Sequence, residues 1–296
     1  MATLGGLLGW ATASSAEPQN AAEDPQTEAV LQNNQAIDPK WLDIMMGKQD
    51  AVRMTECVDT ACNITLVMTD RINALDEMEL LVESLDNASD VSPLGLWPRI
   101  ISLTHDEDPE IRMHACWIVG TAAQNNERTQ LDILNHNGLF HMVACIKNDT
   151  DETVKRKAVY ATSCLIRGNT TVIQAFIELD GFEVLVDSIK DGEPIISTRI
   201  VFLITQLLHD ESIRDLISLT YIKLKILEII VELIPSTDNV ALLEEGINFL
   251  VVFSKYQPLD VENLYTLASC AIESLQKSEL ALELDEIRSL ASKLRL

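Results

Sequence analysis

Gly138-Leu-Phe-His-Met-Val-Ala-Cys-Ile146 is answered 43 residues later by Gly181-Phe-Glu-Val-Leu-Val-Asp-Ser-Ile189, and it is preceded 43 residues earlier by Gly95-Leu-Trp-Pro-Arg-Ile-Ile-Ser-Leu103. Each stretch opens on glycine and runs through apolar residues to an aliphatic side chain. A second matched segment lies between them. Arg112-Met-His-Ala115 corresponds to Lys155-Arg-Lys-Ala158, and Asn126 to Asn169, again at 43 residues.

A period of about 40–47 residues built from two or three helices marks armadillo and HEAT arrays. Such solenoids grip macromolecules on an extended face rather than enclosing a small substrate. The expected fold is therefore all-α, a right-handed armadillo-repeat superhelical solenoid with helical caps. Core repeats are expected over about 70–210, and degenerate C-terminal repeats or a cap over 211–296. Helices are expected near 48–67, 70–86, 94–104, 109–125, 127–136, 138–147, 151–168, 170–179, 181–190, 194–209, 211–219, 221–234, 238–255, 259–276 and 279–295. Asp108-Pro109 reads as an N-cap followed by an N1 proline. Asp149 with Glu152 reads as a reciprocal cap. Ile72, Leu75, Met78, Val82 and Leu85 form one apolar stripe at helical spacing, and Val154, Ala158, Ala161 and Leu165 form another. Residues 1–39 form a separate segment. From 17 onward they are polar, acidic and aperiodic, and read as a flexible linker.

The 296 residues carry a net charge of −24 and are 47% apolar but only 5% aromatic. An acidic surface repels phosphates, so nucleic acid and anionic membranes are not expected partners. Met1 to Ala16 is mildly apolar but has no Lys or Arg before Lys40, so it lacks the basic region of a secretory leader. The six cysteines form no Cys-x-x-Cys pair. With the five histidines they complete no zinc spacing, and they fit buried thiols in a reducing, cytoplasmic setting. No metal or cofactor is expected. A phosphate-binding Gly loop, a Gly-x-Ser-x-Gly elbow and His-Glu-x-x-His are all absent from the sequence, so an enzyme is not expected.

In armadillo folds the long third helix of each repeat lines the concave face. His114, Lys157 and Arg199 fall at one position of successive third helices, spaced 43 and 42. A basic ladder on an acidic protein reads either as a docking stripe for an acidic partner or as solvated charge. Trp117 and Tyr160 share that face three residues on. An aromatic beside a cation is either an interface anchor or half-buried packing. Asn126 reads as a helix C-cap or as a hydrogen-bonding group for an extended peptide.

The stretch Met78-Glu-Leu-Leu-Val-Glu-Ser-Leu-Asp-Asn-Ala88, followed by Leu96-Trp97, resembles the signature of armadillo-type nucleotide exchange factors for cytosolic 70-kilodalton heat-shock chaperones. Further similarity lies in Ile118-Val-Gly-Thr-Ala-Ala-Gln-Asn-Asn126, Lys157-Ala-Val-Tyr-Ala161, Leu165-Ile-Arg167, Leu179-Asp-Gly-Phe182 and the opening Leu7-Leu-Gly-Trp10 with Ser14. The likeness covers most of residues 1–210. It implies a monomeric co-chaperone whose concave face embraces one lobe of the chaperone's ATPase domain, displaces the other, and promotes ADP release and hence substrate release. It implies that Ala88 lies where the partner packs closely, so that Ala88→Arg would abolish binding and spare the fold. It implies that Arg199 donates a charge-assisted hydrogen bond to the partner. Lys157 and Tyr160 follow by repeat equivalence. Leu7, Leu8 and Trp10 would compete for the chaperone's substrate site. The alternatives are an armadillo peptide-binding adaptor, which needs a Trp–Asn ladder, and a scaffold without exchange activity.

Overall fold

The computed structural model describes residues 49–191, 193–256, 261–275 and 281–295. The expected boundary at 39/40 and the segment residues Leu7, Leu8 and Trp10 lie outside the described residues. Gln49–Leu296 is one compact unit. Among the described residues every regular element is a helix. They are α1 (Asp50–Cys62), α2 (Met68–Leu81), α3 (Leu85–Asp90), α4 (Trp97–Ser102), α5 (Pro109–Ala123), α6 (Glu127–Asn135), α7 (Gly138–Asn148) and α8 (Glu152–Ile166). They continue with α9 (Thr170–Glu178), α10 (Gly181–Asp191), α11 (Pro194–Leu207), α12 (Arg214–Lys223), α13 (Ile226–Leu233), α14 (Val240–Phe253), α15 (Val261–Leu275) and α16 (Ala281–Ser292). From α3 to α14 they fall into four triplets.

The third helices stack in succession: α2 on α5, α5 on α8, α8 on α11, and α11 on α14. α16 packs on α14 and closes the far end. Two arginine clamps tie consecutive units. Arg71 of α2 pairs with Asp106, in the loop that leads into α5. Arg112 of α5 grips Asp149, in the loop that leads into α8, through Nε–Oδ2 at 2.8 Å and Nη2–Oδ1 at 2.9 Å. α2 and α5 are thereby pinned to the starts of α5 and α8.

Local sequence explains the boundaries. Asp108 caps α5 by accepting from the Glu110 N–H, and Pro109 fills N1. α8 is capped by Asp151, which accepts from Thr153 and Val154 N–H, and not by Asp149, whose carboxylate is taken by Arg112. The stripe Val154, Ala158, Ala161 and Leu165 is fully buried. Leu75, Met78 and Val82 are buried likewise, but Leu85 is 57% exposed. The chain turns at Ser84 into a separate short helix, so the expected helix over 70–86 is two elements. The expected helix over 48–67 also stops early, at Cys62, and exposed loop residues lead into α2.

The recurring glycines do two different jobs. Between first and second helices the left-handed backbone position is held by Gly95 (φ 68°), Asn137 (φ 61°), Asp180 (φ 53°) and Lys225 (φ 54°). Gly95 thus corresponds to Asn137, one residue out of the register that the glycines suggest. Gly181 serves close packing: a Cβ there would lie 2.2 Å from Phe176 Cε2. The repeat continues past 210 without a glycine because Lys225 takes the left-handed turn.

Candidate partner-binding face

Superposing the helix registers places Asn73, His114, Lys157, Arg199 and Glu245 at one position of α2, α5, α8, α11 and α14. One turn on stand Asp76, Trp117, Tyr160, Phe202 and Asn248. Buried neighbours fix this register in α5, α8, α11 and α14: Ile111, Val154, Ile196 and Leu242 share one core position, and Ile118, Ala161, Leu203 and Phe249 another. The two rows run along one edge of the stacked third helices, exposed at Arg199 and Phe202 and buried at His114.

The middle of these rows is a single cluster. Lys157 Nζ sits 3.1 Å from the centroid of the Trp117 ring and 5.8 Å from that of Tyr160. Trp117 also stacks on His114, with centroids 5.9 Å apart and planes 22° apart. The indole therefore engages both an imidazole and an ammonium, the latter held by the ring's π-face. Tyr160 packs onto Gly120, where a Cβ would lie 2.5 Å from its ring, so the glycine lets α5 and α8 approach. Beneath the cluster, buried Glu79 accepts from Thr121 Oγ1 at 2.7 Å.

Electrostatics follow from this packing. Burial pushes the His114 imidazole below its ordinary 6.5, against the pull of Asp76 and Glu110. It is therefore neutral near pH 7. Its Nδ1 lies 3.4 Å from Asp76 Oδ1 and forms no hydrogen bond. Burial also lowers the Lys157 ammonium, which Glu79 partly restores and the nearby Arg199 lowers further. Burial raises the Tyr160 phenol. Lys157 is thus half-buried and engaged within the protein, whereas Arg199 is exposed.

Two expected site residues fall elsewhere. Ala88 is 1% exposed, on the inner side of α3, and belongs to the hydrophobic core. It offers no surface for a direct contact. Asn126 is also buried. It is the N-cap of α6, accepting from the Thr129 N–H, and its amide donates to Leu85 O and Ser89 Oγ. The helix α5 ends instead at Ala123 with Gln124 as its C-cap, and Asn125 follows in the left-handed region at φ 53°. Asn126 therefore neither caps α5 nor faces outward. His114, Trp117, Lys157, Tyr160 and Arg199 do share one face. The sequence reading missed Asp76, Glu79, Thr121, Phe202 and Glu245. Phe202 was within reach, since it stands three residues beyond Arg199, as Tyr160 stands beyond Lys157.

Among the described residues no His, Cys, Asp and Glu group is arranged to hold a metal ion, and the surface hollows are shallow and shared between helix ends. One of about 640 Å³ is lined by Leu134, Phe140 and Leu179, and by no residue of these rows.

Two family models match the chain: "Nucleotide exchange factor Fes1" over residues 4–91 and the "SIL1/FES1/HPBP1 C-terminal domain" over residues 87–223. The Hsp70 nucleotide exchange factor FES1 of Eremothecium gossypii is 30% identical over 253 residues, covering 83% of this chain and 84% of that protein. That of Mycosarcoma maydis is 34% identical over 171 residues, covering 58% of this chain and 44% of the relative. The Schizosaccharomyces pombe counterpart is 27% identical over 176 residues, covering 59% and 61%. The matched stretch therefore spans about half of some curated relatives and most of others. Among solved structures, a designed armadillo repeat protein superposes with a TM-score of 0.62 at 17% identity, covering 81% of this chain and 98% of its own. Another, in complex with a (KR)4 peptide, gives 0.62 at 19% identity with the same coverage. These likenesses show the fold, while the matches in sequence show the lineage: the chain belongs to the Fes1/SIL1/HPBP1 family of nucleotide exchange factors.

Proposed function

We infer that this protein is a nucleotide exchange factor for a 70-kilodalton heat-shock chaperone, a co-chaperone that binds the chaperone's ATPase domain and accelerates loss of ADP. The observation that carries the reading is family membership across residues 4–223, the same stretch that builds α2 to α11 and their shared edge. That edge is the concave surface of the solenoid, and it takes one lobe of the ATPase domain. Arg199 stands on it as an exposed guanidinium that makes no hydrogen bond or ion pair among the described residues. Such a group gives a charge-assisted hydrogen bond to a partner carboxylate without first breaking an internal one. The His114–Trp117–Lys157 stack beside it is a preorganised platform, since its side chains lose little further freedom on binding.

The chemistry belongs to the chaperone. The factor supplies binding energy that is larger for the open, nucleotide-free ATPase domain than for the closed one. By linkage it weakens nucleotide binding by the same factor by which nucleotide weakens its own. It therefore needs neither cofactor nor catalytic group, and it acts as a monomer in the cytoplasm. Among the described residues no helix is long and apolar enough to cross a membrane. Leu7, Leu8 and Trp10 remain proposed as an apolar element that competes for the chaperone's peptide site.

The peptide-adaptor alternative requires an outward asparagine beside each aromatic, and Asn126 is buried as an N-cap. Calorimetric titration tests the preferred reading. The ATPase domain without nucleotide is expected to bind at least tenfold more tightly than the same domain saturated with ADP. Equal affinities would leave a scaffold without exchange activity.

A further inference from the structure

The aromatic row and the charged row run side by side along the third helices, and the charged row ends on an acid instead of a base. Trp117 of α5 carries the cation of the next third helix, Lys157 of α8, over its ring. Tyr160 of α8 and Arg199 of α11 occupy the same two register positions, but the cation near the Tyr160 ring is Lys157 of its own helix, at 5.8 Å, and Arg199 is exposed. On the Trp117–Lys157 pattern Phe202 of α11 should meet a cation from α14, which packs directly on α11. The residue at that position is Glu245. Phe202 is accordingly 40% exposed, whereas Trp117 and Tyr160 are half-buried. Among the described residues no cation lies over its ring.

We propose that Phe202 and Glu245 form a subsite for a lysine or arginine side chain of the partner, which supplies in trans the cation that the row lacks. The proposal rests on the exchange-factor reading, with the chaperone's ATPase domain as the partner. A lone exposed ring or a lone carboxylate has many uses, but here the two occupy register positions that the same fold fills with an aromatic ring and an ammonium two repeat pairs earlier, at Trp117 and Lys157. The ring offers a π-face and the carboxylate the counter-charge, so a cation gains from both. The carboxylate is prepared for it. One oxygen of Glu245 is buried without a hydrogen-bond partner, burial raises its protonation tendency, and Glu244 alongside raises it further against the hydrogen bond from Asn248. A guanidinium or ammonium would relieve both. The surface is thus bipolar: Arg199 seeks a carboxylate, and the subsite beside it seeks a cation. An ATPase domain in the opposite orientation would meet like charges, so the pair also sets the sense of docking.

The test titrates the full chain and its variants against the nucleotide-free ATPase domain, with far-UV circular dichroism and melting as fold controls. Phe202→Ala and Glu245→Gln are each expected to weaken binding about tenfold and to be non-additive together, because they hold one cation. Glu245→Gln should also flatten the salt dependence of binding. Glu245→Lys closes the row in cis and should cost about a hundredfold. Wild-type-like binding by the natively folded Phe202→Ala and Glu245→Gln variants, or strictly additive losses, would overturn the proposal. So would a wild-type dimer dissolved by Phe202→Ala, which would assign the subsite to a second copy. Failure of the wild type itself to bind any ATPase domain would instead sink the exchange-factor reading.

Discussion

Lys157 Nζ lies 3.1 Å from the centre of the Trp117 ring, so the lysine that the repeat places in line with Arg199 is spent largely on its own protein. Equivalent positions in a repeat are not equivalent in exposure. Lys157→Ala is expected to lower stability by about 1 kcal/mol, the scale of a partly desolvated cation–π contact. Arg199→Ala should leave the urea midpoint unchanged and weaken partner binding by about 1.5–3 kcal/mol, as for a hydrogen bond to a charged group. Urea unfolding beside calorimetric binding separates the two. The reverse pattern would mean that Lys157 is the docking cation.

Ala88→Arg is expected to fail by unfolding. The side chain is 1% exposed in α3. A guanidinium there buries an unpaired charge in an overpacked site, at a cost of several kcal/mol, roughly. Melting should fall by about 10 °C or more, given roughly 2–4 °C per kcal/mol for a unit of this size. A native melting temperature with lost binding would restore the direct-contact role.

Much of this was legible beforehand. Asp108-Pro109 marked the start of α5, and the Val154–Leu165 stripe marked the buried face of α8. The 43-residue step fixed the array, and the 42-residue step to Arg199 fixed the third-helix rows. The errors share a cause: polar residues in loops serve more than one partner, and spacing does not say which. Asp149 has a capping spacing, but Arg112 takes its carboxylate and Asp151 does the capping. Asn126 follows the C-terminus of α5, yet its oxygen serves α6. Ala88 is small because the core presses on it, which local sequence cannot distinguish from a partner pressing on it.

The Arg112–Asp149 clamp makes part of the stability pH-dependent. Burial alone would raise the Asp149 carboxyl, but hydrogen bonds from Arg112 and the Asp151 N–H outweigh it and hold it below its ordinary 3.8. A carboxyl depressed in the folded state stabilises above its unfolded value, near 4, and loses that contribution as pH falls toward the folded one. Urea midpoints should therefore drop below about pH 4. In Arg112→Ala the unfolding free energy at neutral pH should be lower by about 3 kcal/mol, because a buried carboxylate loses its mate. That variant should also have a flatter acid limb. An unchanged acid limb would remove the clamp from the account.

Gly181→Ala tests the packing role of the second-helix glycines. Its Cβ would meet the Phe176 ring at 2.2 Å, in a core where Phe176 and Phe182 already pack with centroids 5.0 Å apart. The expected loss is about 1–3 kcal/mol by chemical denaturation. A gain in stability, as for a freely exposed helical glycine, would contradict the close approach of α9 and α10.

Release of a fluorescent ADP analogue from a 70-kilodalton heat-shock chaperone, chased with unlabelled ATP in a stopped-flow instrument, bears most directly on the whole reading. Wild-type protein should accelerate release at least tenfold and saturably, and Arg199→Ala should shift the half-maximal concentration upward while remaining folded. A release rate that the wild-type protein leaves unchanged at saturating concentration would contradict the account.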